Sequence, residues 1–268
     1  MSTTRAARRK GGEKTAKARG GGVAPVLLII AVLAAWSACA VFFFLSRGSI
    51  LYYGDAEAHL NIARRILDSR TPGPDQIGTV WLPLPHLLML PFIRNNALWQ
   101  TGLAGAIPSA FCFVAAGAFL FAAVRRLFGS TAAAVAATAL LALNPNLLYL
   151  QPPPMTEPVF LAGFLALVYF TVLFRQTDSP FAAAGAGAAC LACTLTRYEG
   201  WFLIPAVSLY FLLTAKQNRL RNAVIFGAVA SLGPLCWIAH NWWYYGDGLA
   251  FYRGEWSAMA IQGARPYP

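Results

Sequence analysis

The stretch Val23 to Leu45, VAPVLLIIAVLAAWSACAVFFFL, decides the fold. It holds 23 residues without a charge. As a helix it is about 34 Å long, enough to cross the hydrocarbon of a bilayer. Six further uncharged stretches follow: Gln100–Val124, Thr131–Leu150, Pro158–Phe174, Ser179–Thr196, Gly200–Ala215 and Asn222–Ala239. The whole chain agrees with them. Of its 268 residues 58% are hydrophobic and only 12% charged, with mean hydropathy +0.54. A soluble domain carries about 25% charged residues, so too few are available here to cover a water-facing surface. The expected fold is all-α: a polytopic transmembrane helical bundle of about seven spans.

Between the first two spans, Trp81 to Ile93 (WLPLPHLLMLPFI) is apolar but has 13 residues and three prolines. That suits an interfacial or re-entrant segment better than a crossing. The charges support this count. With the N-terminus in the cytoplasm, thirteen basic and two acidic residues fall inside, and eight of each fall outside. The net charge of +11 then sits on one face, as the positive-inside rule expects. An eighth crossing at 81–93 would carry Arg125, Arg126, Lys216, Arg219 and Arg221 to the wrong side.

Residues 1–22 are rich in Gly, Lys and Arg and have little to bury, so a disordered basic cytoplasmic tail is expected there. Its charge suits anionic headgroups, and no nucleic-acid partner is expected. The apolar run after it is too long for a cleaved signal and reads as a retained anchor. The rest, 23–268, is one transmembrane module with an extracytoplasmic loop over 46–99. Cys39, Cys112, Cys190, Cys193 and Cys236 all lie in apolar spans and suggest no disulfide framework. Cys190 and Cys193 sit in the small-residue run AAAGAGAACLAC, which suits close helix packing.

Polar chemistry gathers at the outer junctions. Asp55 and Glu57 open an amphipathic helix expected over about Ala56 to Ser69, with Asp55 as a natural N-cap. Residues two apart point in different directions on a helix, so these two acids address one ligand only if the chain is extended there. Glu157 follows three prolines in PPPMTEP, and Arg197 and Glu199 lie in TRYEGW between the fifth and sixth spans. His240 opens the aromatic run HNWWYYGD that leaves the seventh. Each cluster has a plain structural reading as cap, dipole partner, surface ion pair or aromatic belt. Their convergence on one leaflet is what points to function, since the midplane holds no ionisable stepping stones for transport.

These features resemble the GT-C superfamily of membrane glycosyltransferases, closest to its protein-mannosyltransferase-like and RgtA/B/C/D-like branch. The resemblance rests on the first span with its acidic loop (YYGDAEAHLNIARRILDS), the WLPLPHLLMLP entry, MTEP, and TRYEGW. It implies transfer of a sugar from a polyprenyl-phosphate lipid to a glycan, lipid or protein acceptor on the extracytoplasmic face of a plasma or inner membrane. By similarity, Asp55 is the base with Glu57 beside it as the second catalytic acid, or the two are ligands of a divalent cation such as Mg or Mn, and no other cofactor is implied. Arg197 is the phosphate partner. Glu157, Glu199, His59, His240 and Trp81 form the substrate-binding set. Many relatives place two acids side by side, whereas Ala56 separates this pair. Relatives are also longer, so the chain ending at Pro268 is expected to be an N-terminal module. An oligosaccharyltransferase-like transfer of a whole glycan fits the acidic loop equally well. A transporter or flippase would instead need polar groups along a transmembrane path.

Overall fold

The computed structural model describes residues 23–263. The tail expected over 1–22 lies outside the described residues. Within them every regular element is helical. Seven helical segments match the seven uncharged stretches, but they differ in length. Four are long and apolar enough to cross a membrane: α1 (Val23–Ser46), Leu103–Phe128, Glu157–Thr177 and Arg219–Tyr245. The first loop folds into α2 (Gly54–Leu67), a 3₁₀ turn (Pro74–Ile77), α3 (Leu84–Ile93) and α4 (Asn96–Thr101). Then come α5 (Leu103–Phe128), α6 (Thr131–Ala142), α7 (Pro145–Leu150), α8 (Glu157–Thr177), α9 (Pro180–Thr194), α10 (Leu203–Thr214), α11 (Arg219–Tyr245), α12 (Ala250–Arg253) and α13 (Ala258–Gly263).

The three shorter stretches have local causes. Thr131–Leu150 splits into α6 and α7 because Pro145 has no N–H to continue the ladder. The Asn144 side chain restarts the helix by accepting from the N–H groups of Asn146 (3.0 Å) and Leu147 (3.3 Å). The carbonyl of Ala142, left at the break, accepts from the Trp36 indole of α1 at 2.9 Å. Helix α9 has 15 residues, about 23 Å. The stretch from Gly200 starts as a 3₁₀ turn (Tyr198–Phe202) before α10 begins.

Contacts place the segment ends in two groups. At one end, Arg126 and Gln176 exchange hydrogen bonds of 3.1 and 3.0 Å. There the Asp178 carboxylate also accepts from the backbone N–H groups of Lys216 (3.1 Å) and Gln217 (2.9 Å). At the other end lie the first loop, the prolines before α8, the α9–α10 turn and the last turns of α11. Leu84 N–H donates to Leu195 O (3.0 Å) there. The Tyr198 hydroxyl donates to Val80 O (2.8 Å).

The main core is made by α8, α9, α10 and α11, with Phe174, Phe211 and Phe226 packed around Ala183, Ala186 and Cys190. Small residues set the helix spacing. A Cβ added at Gly187 would come 2.9 Å from Val229 Cβ and 3.0 Å from the Phe226 carbonyl. Higher up, Ser37 of α1 donates to Gln151 Oε1 (2.6 Å), and Gln151 Nε2 returns a bond to Ser37 O (3.2 Å). This reciprocal pair satisfies two polar groups inside the bundle. All five cysteines are free thiols.

Candidate active site

Helix α2 carries the acidic pair. It begins at Gly54, and its N-cap is Tyr53, which makes no side-chain cap bond. The expected cap role of Asp55 is thus corrected: Asp55 and Glu57 both lie in the first helical turn, where acids complement the dipole. Both are exposed. Two residues apart on a helix, they are turned about 200° from one another. They do not converge on one ligand, so as a paired divalent-cation site they fit poorly. Among the described residues no group of three or more His, Cys, Asp or Glu side chains is placed to hold an ion.

The face of α2 between the two acids is buried through Ala56, His59, Leu60, Ile62 and Ala63. Leu60 and Ala63 pack against Met89 and Ile93 of α3 and Ala104 of α5. Burying each of the larger side chains contributes about 2 kcal/mol. His59 therefore sits inside rather than on the loop surface, at 1% exposure. Its Nδ1 lies 2.9 Å from Nε2 of His86, which is fully buried. The edge of its ring meets Trp81, with ring centres 4.3 Å apart and an 80° angle. Burial lowers the His59 pKa to about 4. Burial, then His59 and Arg65, lower that of His86 to about 3. The Leu82 carbonyl offsets a little of this. Among the described residues His86 Nδ1 has no hydrogen-bond partner. Helix α2 is held a second time through Arg64, whose Nη1 donates to Ile93 O (2.8 Å) and whose guanidinium lies 4.9 Å from the Trp99 ring centre.

Arg197 follows α9 with extended backbone, and its guanidinium is shared between two carboxylates. Nη1 donates to Glu157 Oε1 (2.9 Å) and Thr156 Oγ1 (3.1 Å), and Nη2 donates to Glu199 Oε1 (2.9 Å). Glu157 opens α8 after the prolines, where the helix dipole favours an acid. Its second oxygen, Oε2, is buried and unpartnered. The hydrogen bond to Glu199 is the largest cause that raises the Arg197 pKa. The same contact holds the Glu199 carboxyl below its usual range. Two carboxylates on one guanidinium leave the cluster with a net charge of −1.

The last cluster does not leave its helix: α11 continues through His240 to Tyr245. His240 stacks on Trp237 with ring centres 4.7 Å apart and a 5° angle. Its Nε2 lies 3.3 Å from Gly78 O. The Trp237 indole donates to the Tyr198 hydroxyl at 3.0 Å. The Tyr245 hydroxyl bonds the Asp75 carbonyl. Burial raises the Tyr198 pKa, so this phenol stays neutral.

The sequence-derived residues thus form three groups at one end of the bundle. Arg197, Glu157 and Glu199 are joined directly, His59 meets Trp81, and His240 braces the 3₁₀ turn of the first loop. Asp55 and Glu57 stand apart from one another on α2. His86, Tyr198, Trp237 and Thr156 were missed as site residues. For His86 a signal existed, a single histidine in an otherwise uncharged apolar run. For Trp237 none did, because it is one more aromatic in a span.

An apolar helical bundle whose ionisable side chains cluster at its ends defines a membrane protein. Residues 92–243 match the family model described as dolichyl-phosphate-mannose-protein mannosyltransferase. That is more than half of the chain, and the chain belongs to this family, one of membrane glycosyltransferases of the mannosyltransferase type that use a lipid-linked sugar donor. No curated protein and no solved structure matches it. The matched region holds Glu157, Arg197, Glu199 and His240, whereas Asp55, Glu57, His59 and Trp81 precede it.

Proposed function

We propose that this chain transfers a single sugar from a polyprenyl-phosphate donor to an acceptor hydroxyl at the extracytoplasmic rim of a plasma or inner membrane. All seven apolar segments are read as crossings. In support, their ends alternate between two groups, and the basic excess gathers with the Arg126–Gln176 and Asp178–Lys216 end. The observation that carries the functional reading is the Arg197 cluster, an ionised guanidinium at the same end of the bundle as an exposed carboxylate helix turn.

The chemistry is a displacement at the anomeric carbon. An acceptor oxygen forms the new C–O bond while the bond from that carbon to the donor phosphate breaks. The phosphate leaves with the electron pair. The acceptor's proton goes to the Asp55 carboxylate, a general-base step typically worth 10²–10⁴-fold. Arg197 compensates the charge on the departing phosphate. Glu199, which is 63% exposed at its side chain, is the partner it releases, while Glu157 keeps the guanidinium in place. An arginine fork suits phosphate because it binds two oxygens at once. No step is assigned to a divalent cation, given the divergence of Asp55 and Glu57.

The test is Asp55→Asn, assayed by transfer from polyprenyl-phosphate mannose in membranes at matched expression. We expect transfer to fall at least about 100-fold. Transfer at the wild-type rate would sink the base assignment.

A further inference from the structure

We propose that the buried His59–His86 pair is a positioning device that fixes the roll of α2 about its own axis and thereby the aim of the Asp55 carboxylate. The inference rests on the reading of Asp55 as the proton acceptor. His59 lies one helical turn after Asp55 on the same helix, and its partner opens α3, the helix on which α2 is seated. The apolar contacts of Leu60, Ala63, Met89 and Ile93 hold the two helices together but are non-directional. The hydrogen bond from imidazole to imidazole, at 2.9 Å, is directional.

The need for such a device follows from the rest of α2. Its C-terminal half is anchored by Arg64 on the Ile93 carbonyl. Its first turn has no capping side chain, and among the described residues Asp55 and Glu57 form no ion pair. A side-chain tip lies about 5–6 Å from a helix axis, so a roll of roughly ten degrees moves a carboxylate by about 1 Å. A displacement of that size costs about 10²-fold in rate.

Two histidines serve this purpose because burial keeps both neutral. One nitrogen then donates and the other accepts, and two imidazoliums at this spacing would repel. The charged group that acts on the pair is Arg65, also on α2. Arg65 disfavours protonation of His86, and Arg64 is engaged by Asp68 at 2.6 Å. Trp81 covers the His59 ring.

The experiment compares His86→Leu, which keeps an apolar side chain of similar size, with His86→Gln, whose amide reaches the position of Nε2. Both are made in the full chain. Two quantities are read: kcat and donor KM for polyprenyl-phosphate mannose, and amide hydrogen exchange over residues 56–60. We expect His86→Leu to lower kcat about 10- to 100-fold at constant KM and to lose amide protection at least tenfold. We expect His86→Gln to recover most of both. Unchanged protection in His86→Leu overturns the pinning. Loosened exchange with unaltered kcat overturns the link to Asp55. Equal impairment in both variants overturns the role of the hydrogen bond. The exchange arm does not depend on what Asp55 does, so failure here is distinct from failure of Asp55→Asn.

Discussion

Helices meet in two different ways in this molecule. In the α8–α9–α11 core they approach through Gly163, Gly187, Gly233 and the alanines of α9, and phenylalanines fill the remaining space. In the first loop, α2 and α3 meet through larger apolar side chains together with His59, His86 and Arg64. The contrast follows from the solvent. Lipid tails are as apolar as leucine, so helices in a bilayer gain by close packing rather than by burial. At the rim, water borders one face, and burial of Leu60 or Ile93 again drives association. A rim layer can also carry directional polar contacts without stranding them in hydrocarbon. The proposed chemistry of Asp55 and Arg197 uses that layer.

The largest effect that separates the two regions is expected from Arg197→Met. It removes the guanidinium shared by Glu157 and Glu199 while leaving the packed core untouched. Sugar transfer should drop by roughly 10²–10³-fold, in line with loss of a charge-stabilising donor. Arg197→Lys should restore little, because an ammonium cannot hold two acids in a fork. Full activity in the lysine variant would show that charge alone suffices there.

Gly187→Leu attacks the other region. The added side chain has no room beside Val229 and the Phe226 carbonyl, and overpacking costs about 1–3 kcal/mol. A lower thermal midpoint in detergent is expected, with protection of α2 unaffected. A destabilisation that reached α2 first would mean that the two regions are not independent.

A pH series sharpens the rim further. His59 and His86 have folded pKa values below that of an unfolded histidine, about 6.5. The native pair binds fewer protons than the unfolded chain as pH falls below 6.5. The stability it contributes is thus full above 6.5 and is lost on acidification toward the folded value near 4. The slope is about 2 kcal/mol per pH unit between 6 and 5, roughly half of it from each histidine. Thermal melts at pH 7, 6 and 5 should show it, and replacing both histidines with leucine should flatten the trend.

The smallest change is expected from Glu199→Gln. Its contact with Arg197 is largely open to water, and such pairs are worth under about 1 kcal/mol. Stability should hold within that range. A large loss of stability would show that Glu199 is structural rather than the displaceable partner of Arg197.

Much of the architecture was legible along the chain because a bilayer imposes a one-dimensional rule. Each uncharged stretch was expected to be helical, and helices run through all seven, four of them long enough to cross a membrane. Lengths were less legible. Uncharged runs mark where charge is absent, not where backbone geometry breaks, so Pro145 cut one run in two and the 3₁₀ turn shortened another. The cap expected at Asp55 moved to Tyr53 because the helix began one residue before the acid. In the site, Arg197, Glu157 and Glu199 stood out as charges beside apolar spans. His86 stood out only as a lone histidine in an apolar run, and its pairing with His59, 27 positions away, did not, since no local pattern links them.

The sequence by itself determined a membrane-embedded helical bundle and the clustering of polar chemistry at its ends, because excluding charge from hydrocarbon is a local requirement read residue by residue. Only the tertiary structure decided which polar groups pair. It divided Arg197 between two carboxylates and took His59 and His86 out of water. Those outcomes depend on how α2, α3, α8 and α9 pack, and distances between helices are not written in the spacing along any one of them.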